Sequence, residues 1–300
     1  MSSNADTVPV FHTVSELRSW RSDQRKQGKT VGLVPTMGAL HNGHLTLVSA
    51  AQQSCDTTVV SIFVNPAQFA PHEDLDQYPR TLPQDIQKIA ETQANCVVFA
   101  PLVSEMYPNG ITTDRSKQKG TFVEVLGLSE MLEGGSRPHF FRGVATVVSK
   151  LFHIVMPEMA FFGQKDVQQC CVIKNLVADL LFPIKLNIVP TVRDPVDGLA
   201  LSSRNVYLTE EQRAKAPALY RGLCAAQKLY SQGITGREEL IGAVAAEAAQ
   251  ENLDIEYICL SSPDTLEELD SVPSSGAILS SAWRMGKTRL IDNVLIGFEF

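Results

Sequence analysis

Short β-branched runs alternate with stretches of helical period through the first two thirds of the chain. Val31-Gly32-Leu33-Val34-Pro35 reads as a buried strand, residues 45–54 carry helical spacing, and residues 58–64 return to a strand. The order continues with a helix near 84–93, a strand at 96–100, a helix at 144–155, a strand at 159–162, a helix at 167–181 and a strand at 185–190. Strands apolar on both faces and separated by helices predict an α/β, Rossmann-like parallel sheet covered on each side. Residues 110–126 break the alternation and read as an excursion or a short extra hairpin. After about Tyr207 the pattern changes. Thr209-Glu210-Glu211-Gln212 and Thr235-Gly236-Arg237-Glu238 read as capping boxes, each opening a helix. Candidate strands follow at 254–260, 277–282 and 288–296, which predicts a smaller α+β domain with an antiparallel sheet. The expected division is 1–207 for the Rossmann-like domain and 208–300 for the C-terminal domain.

Composition narrows the picture. With 44% hydrophobic and 20% charged residues among 300, the chain has a core-forming composition. A net charge of −7 lacks the basic footprint of a nucleic-acid binder, although a local site for a polyanion needs only a few cations and backbone N–H groups. No apolar run reaches the roughly 20 residues that span a bilayer. Residues 1–6 lack the basic and apolar regions of a secretory signal and read as a short leader, so a cytoplasmic protein is expected. Six cysteines without a C-x-x-C pair suit buried thiols in a reducing compartment.

Ligands of open parallel sheets bind outside the carboxyl ends of the strands, so the loops there hold the candidate chemistry. The first is Pro35-Thr36-Met37-Gly38-Ala39-Leu40-His41-Asn42-Gly43-His44. If a helix begins here, His41 and His44 share one face of its first turn, and the helix N-terminus attracts phosphate. The pair can equally be surface histidines beside a capping turn, and a metal site lacks a third ligand nearby. Gln68, in Asn65-Pro66-Ala67-Gln68, offers a neutral donor and acceptor, or is simply a turn glutamine. Gly163-Gln164-Lys165-Asp166 combines close backbone approach with a compact cation for phosphate; equally, capping of the next helix alone explains Asp166 and a solvated charge explains Lys165. The loop from Val192 to Asn205 is either a linker or a lid whose Ser202, Ser203 and Arg204 close over a triphosphate. Gly286-Lys287-Thr288 leads into a strand and reads as a turn, not the end of a P-loop.

Taken in order on predicted strand ends, these pieces resemble the nucleotidyl-transferring superfamily that carries H-x-G-H, and within it the pantothenate synthetase family. The resemblance also includes Tyr78-Pro79-Arg80-Thr81, Met106-Tyr107-Pro108, Phe141-Arg142-Gly143-Val144, Gly198 to Asn205 and Thr288-Arg289-Leu290-Ile291-Asp292-Asn293. It implies ligation of pantoate and β-alanine to pantothenate, with ATP and Mg²⁺ first giving a pantoyl adenylate and pyrophosphate. It further implies catalytic roles for His44, His41, Lys165 and Arg204, His44 being the residue treated as proton donor. Met37, Gly38, Ala39, Leu40, Asn42, Gly43, Gly163, Gln164, Asp166, Val192, Leu201, Ser202 and Ser203 would form the nucleotide site. Gln68 and Gln169 would meet pantoate, with Arg137 a further candidate, and the chain would be a homodimer. Two departures stand out. Arg137-Pro138-His139-Phe140-Phe141-Arg142-Gly143 has its histidine one place early, and the Arg193–Asp197 stretch is one residue longer than the pattern. Rival readings are a nucleotidyltransferase acting on a phosphate ester, an aminoacyl-tRNA synthetase fragment, and a nucleotide-binding regulator without turnover.

Overall fold

The computed structural model describes residues 8–71, 73, 75–251 and 253–300. The leader read at residues 1–6 lies outside the described residues. Strand β1 (Val10–Phe11) leads to helix α1 (Val14–Lys26), whose Thr13–Glu16 capping box satisfies the first backbone N–H groups. Then come β2 (Val31–Thr36), α2 (Asn42–Ser54), β3 (Thr57–Ile62), α3 (Leu82–Glu91), β4 (Cys96–Phe99), α4 (Val103–Met106), α5 (Glu133–Ser136) and α6 (Phe140–Val155). The order ends with β5 (Met159–Gly163), α7 (Val167–Asp179), β6 (Lys185–Val189), α8 (Glu210–Lys215), α9 (Ala218–Ser231), α10 (Arg237–Glu251), β7 (Asp254–Ser261), β8 (Ala277–Met285) and β9 (Thr288–Ile296).

Strands β1 to β6 form one parallel sheet in the order β1-β4-β3-β2-β5-β6. The expected α/β class with a second α+β element is therefore what the chain adopts. The chain moves outward from β2 through β3 and β4, then returns to the other side of β2 to lay down β5 and β6. The topological switch point thus falls at β2, where α/β sheets open a ligand crevice beyond the strand ends. Apolar side chains of the sheet are sealed by helices: Val34, Val60 and Val98 pack with Leu47, Val48, Ala51 and Ile89 in one buried cluster.

The chain packs as two compact units, one running to Phe162 and resuming at Val172–Val189, the other comprising Gly163–Cys171 and Pro190–Phe300. In the second unit, β7, β8 and β9 form an antiparallel sheet in sequence order. Leu223 and Val244 of its helices and Trp283 and Leu279 of its sheet share a buried core.

Two local expectations change. Residues 110–126 hold no strand, only a 3-10 turn at Arg115–Lys117, because Thr112, Asp114 and Gln118 spend their polar groups on local turns. The second capping box does not form at Thr235. Helix α10 opens one residue later, at Arg237, so Gly236 takes the capping position and its carbonyl accepts the Leu240 N–H. The first box does form, with Thr209 accepting from Gln212 N–H. Gly286 lies in the tight β8–β9 turn, as expected, with Met285 paired to Thr288. All six cysteines remain thiols, and burial pushes those of Cys55, Cys96 and Cys259 up to about 11.

Candidate active site

The loop after β2 turns through two successive left-handed residues, Gly38 at φ 88° and Ala39 at φ 51°. Glycine adopts this readily, whereas an alanine there is strained by about 1–2 kcal/mol. A fully buried carboxylate offsets the strain. Asp85 on α3 accepts the N–H of Ala39 at 3.0 Å and of Leu40 at 2.8 Å, together with the Thr81 hydroxyl at 3.2 Å. Lys88, one turn further along α3, donates to the Leu40 carbonyl at 2.6 Å. Asp85 and Lys88 were not singled out from the sequence, where an acid four residues after Thr81 reads as an ordinary first-turn helix charge.

His41 is the N-cap of α2. Its Nδ1 accepts the Gly43 N–H at 3.1 Å, and His44 Nδ1 accepts the His41 N–H at 3.4 Å, a capping box built from two imidazoles. Backbone N–H groups only donate, so both Nδ1 atoms are the unprotonated nitrogens and the neutral rings carry their protons on Nε2. The rings lie 4.1 Å apart between centroids. Two Nε2–H donors therefore share the N-terminal end of a helix, an arrangement suited to phosphoryl oxygens.

After β3, Pro66–Gln68 forms a 3-10 turn against the start of α6. The approach is so close that a Cβ on Gly143 would lie 2.2 Å from the Ala67 carbonyl oxygen, which explains the glycine of Arg142-Gly143. Buried Asn65 donates to Gln68 Oε1 at 2.8 Å and to the Gly143 carbonyl at 3.2 Å. Gln68 itself is 8% exposed. A cleft beside it is lined by Phe69, Glu73, Arg115, Gln118, Arg137 and His139. Arg137 is held by both oxygens of Glu73, at 2.7 and 3.0 Å, donates to the Gln68 carbonyl at 3.3 Å, and stacks on Phe140. His139 takes a left-handed backbone before α6 and contacts Arg115; burial and that neighbouring cation hold its pKa below the usual value. Phe140, the residue after His139, thus lies with its ring face under Arg137.

In the second unit, Gly163 is followed by a 3-10 turn at Gln164–Asp166 that runs into α7, whose first turns carry half-buried Gln169. A Cβ at Gly163 would meet nothing within 4 Å, so open space adjoins the backbone there. Fully buried Asn293 of β9 fixes this turn: its Nδ2 donates to the carbonyls of Gln164 and Lys165 at 2.9 and 3.0 Å, and its Oδ1 accepts from Gln164 Nε2 at 3.1 Å.

Its neighbour Asp292 grips Arg193 through both oxygens, at 2.5 and 2.9 Å, and Arg193 stacks on Tyr220. Leu201 N–H donates to the Val192 carbonyl at 2.9 Å, which closes the loop between them. Within this loop Arg213 bridges Asp194 at 2.9 Å and Asp197 at 2.5 Å. Ser202 caps the 3-10 turn Ser203–Tyr207 by accepting the Arg204 N–H, and Ser202, Ser203 and Arg204 are half-buried. The motif at 288–293 was legible from resemblance, but not what Asp292 and Asn293 hold.

A parallel sheet whose strand order reverses at β2, with two histidines at the start of the following helix, is that of an α/β protein with its ligand crevice at the switch point. The family described as Pantoate-beta-alanine ligase matches residues 9–295. A pantothenate synthetase of Chloroflexus aggregans is 49% identical over 290 residues, covering 96% of this chain and 100% of its own. The pantoate–β-alanine ligase of Saccharomyces cerevisiae is 47% identical over 311 residues, at 96% and 100% coverage. A crystal structure of pantothenate synthetase from Thermus thermophilus superposes with a TM-score of 0.86 at 43% identity, covering 96% of this chain and 99% of that one. Pantoate-beta-alanine ligase from Francisella tularensis, complexed with beta-gamma ATP and beta-alanine, gives 0.75 at 35% identity, with 96% and 97% coverage. The chain belongs to the pantoate–β-alanine ligase family.

Proposed function

We propose that this chain condenses pantoate with β-alanine at the expense of ATP, through an enzyme-bound pantoyl adenylate, releasing pyrophosphate and then AMP. The observation that carries the reading is the His41–His44 capping box, which aims two Nε2–H donors from a helix N-terminus. The pantoate carboxylate is already ionised at neutral pH, so the first step needs alignment on the α-phosphorus and stabilisation of developing charge, with no strong base. His44, His41, Lys165 and Arg204 donate to phosphate oxygens. The backbone from Met37 to Gly43, the turn from Gly163 to Asp166, Val192, and Leu201 to Ser203 cradle the nucleotide. Gln68 and Gln169 take pantoate. Arg137, already committed to Glu73, acts on the acid by shaping its pocket.

Among the described residues no three His, Cys, Asp or Glu side chains gather as metal ligands. Magnesium is expected to enter with ATP, the nucleotide phosphates and water supplying most of its oxygen ligands. The expected setting is the cytoplasm, in a homodimer. Among the described residues no helix is long and apolar enough to cross a membrane.

The test is pyrophosphate release with ATP and Mg²⁺, with pantoate supplied alone and then with β-alanine. Pantoate-dependent release, with AMP and pantothenate appearing only once β-alanine is added, supports both half-reactions. ATP binding without pantoate-dependent release points to a regulator and ends the ligase reading.

A further inference from the structure

Gln68 is read above as a contact for the acid substrate, and an amide side chain can meet a ligand with either its NH₂ or its oxygen. The surroundings of Asn65 decide which. The Gly143 carbonyl can only accept, and it lies 3.2 Å from Asn65 Nδ2; the Ala67 N–H can only donate, and it lies 3.3 Å from Asn65 Oδ1. These two backbone groups fix the Asn65 amide without ambiguity. Asn65 Nδ2 then faces Gln68 at 2.8 Å, so the Gln68 atom there must be the acceptor Oε1, and the Gln68 NH₂ is left for the other side.

The tightest bond of the set is the one from Tyr107. Its hydroxyl donates to Asn65 Oδ1 at 2.7 Å. The ring is buried, stacked on Phe63 and lies under the Lys150 ammonium, 4.0 Å from its centroid. Burial pushes the phenol well above its ordinary pKa, so the hydroxyl keeps its proton and donates throughout the working range.

We propose that Tyr107, acting through Asn65, is a positioning residue that presents Gln68 to the acid substrate as a hydrogen-bond donor only, so that the pocket selects a ligand offering lone pairs, as a carboxylate does, and disfavours its primary amide. The proposal rests on the reading of Gln68 as an acid contact. A carboxylate offers only acceptors, whereas an amide brings an NH₂ that meets the Gln68 NH₂ donor to donor.

The experiment uses the full-length chain, with steady-state pyrophosphate release as readout and pantoamide as competitive inhibitor. Tyr107→Phe retains the ring and removes only the hydroxyl. It is expected to raise the KM for pantoate about three- to tenfold, the effect of losing one buried hydrogen bond, to leave the KM for ATP within about twofold, and to narrow the preference for pantoate over pantoamide. A general packing defect would not change that selectivity ratio. Asn65→Asp, which has no donor to offer Gln68, should turn the Gln68 oxygen toward the ligand and narrow the ratio further; it keeps the question answerable if Tyr107→Phe folds poorly. Gln68→Ala is run alongside. If Gln68→Ala raises the pantoate KM while Tyr107→Phe and Asn65→Asp leave both KM and selectivity unchanged, the positioning role is overturned. If Gln68→Ala itself leaves the pantoate KM unchanged, the acid-contact reading falls, and the proposal with it.

Discussion

Asp85 and Leu40 lie 45 residues apart, yet the Asp85 carboxylate accepts the Leu40 backbone N–H at 2.8 Å and, through its second oxygen, that of Ala39. One buried side chain on α3 thereby holds the strained turn that delivers His41 and His44 to the start of α2.

The first prediction follows directly. Asp85→Asn replaces one acceptor oxygen by an NH₂ that must face a backbone N–H. It should destabilise the fold by about 1–3 kcal/mol, the penalty for an unmatched buried polar group. It should also lower pyrophosphate release more than the stability loss explains, because the histidines shift with the turn. A thermal melt and an activity assay on the same preparation check both, and full activity in a destabilised variant would show that the turn holds without Asp85.

His41 caps α2, and the proposed function gives it a second, separable role as a donor from Nε2. His41→Asn keeps a good N-cap residue and removes the imidazole. The expected outcome is a near-native melting temperature with strongly reduced adenylation. His44→Ala should lower turnover by about 10²–10³, the usual effect of losing one preorganised donor. Single-turnover pyrophosphate release measures each, and unchanged turnover in a folded His44→Ala protein would remove that residue from the mechanism.

Asp292 is 3% exposed and its Arg193 partner is largely covered, so the pair is expensive to break from one side. Asp292→Ala leaves a guanidinium without its counter-charge and should cost about 3–5 kcal/mol in chemical denaturation. A loss below about 1 kcal/mol would mean that solvent reaches Arg193 in the variant.

Asp197 gives a pH-dependent signature. Its hydrogen bond from Arg213 holds the carboxyl below its usual pKa. A carboxylate with a depressed folded pKa contributes fully above its unfolded value of about 3.9, and that contribution disappears as pH falls through the lower folded value. Both partners are roughly one-third exposed, so the effect is modest. Arg213→Gln should cost at most about 1 kcal/mol at neutral pH. The gap from the parent protein should shrink as the pH is taken below about 4, and a constant gap would assign the effect to packing of the Arg213 stem.

Much of the site was legible because it is written locally. His41 and His44 are three residues apart, and the helix that aligns them starts at their own position. The capping logic that places His41 therefore needs no distant partner. Gly143 is different: it sits within a helix in sequence, and only the approach of the Ala67 carbonyl explains it. Arg137 is different again, since its pairing with Glu73 spans 64 residues.

The sequence by itself determined the alternation of strands and helices, the start of α8 at its Thr209 capping box, and the candidate loops at the strand ends, because periodicity, capping and turn preference act over a few residues. Tertiary structure alone decided which polar side chains support those loops. Asp85 beneath the histidine turn, Tyr107 behind Asn65, and Asn293 across the Lys165 turn each act over a gap in sequence that hydrophobic pattern does not encode. Each owes its role to the same physical requirement: a buried polar group must find its partner wherever the fold brings one within about 3 Å.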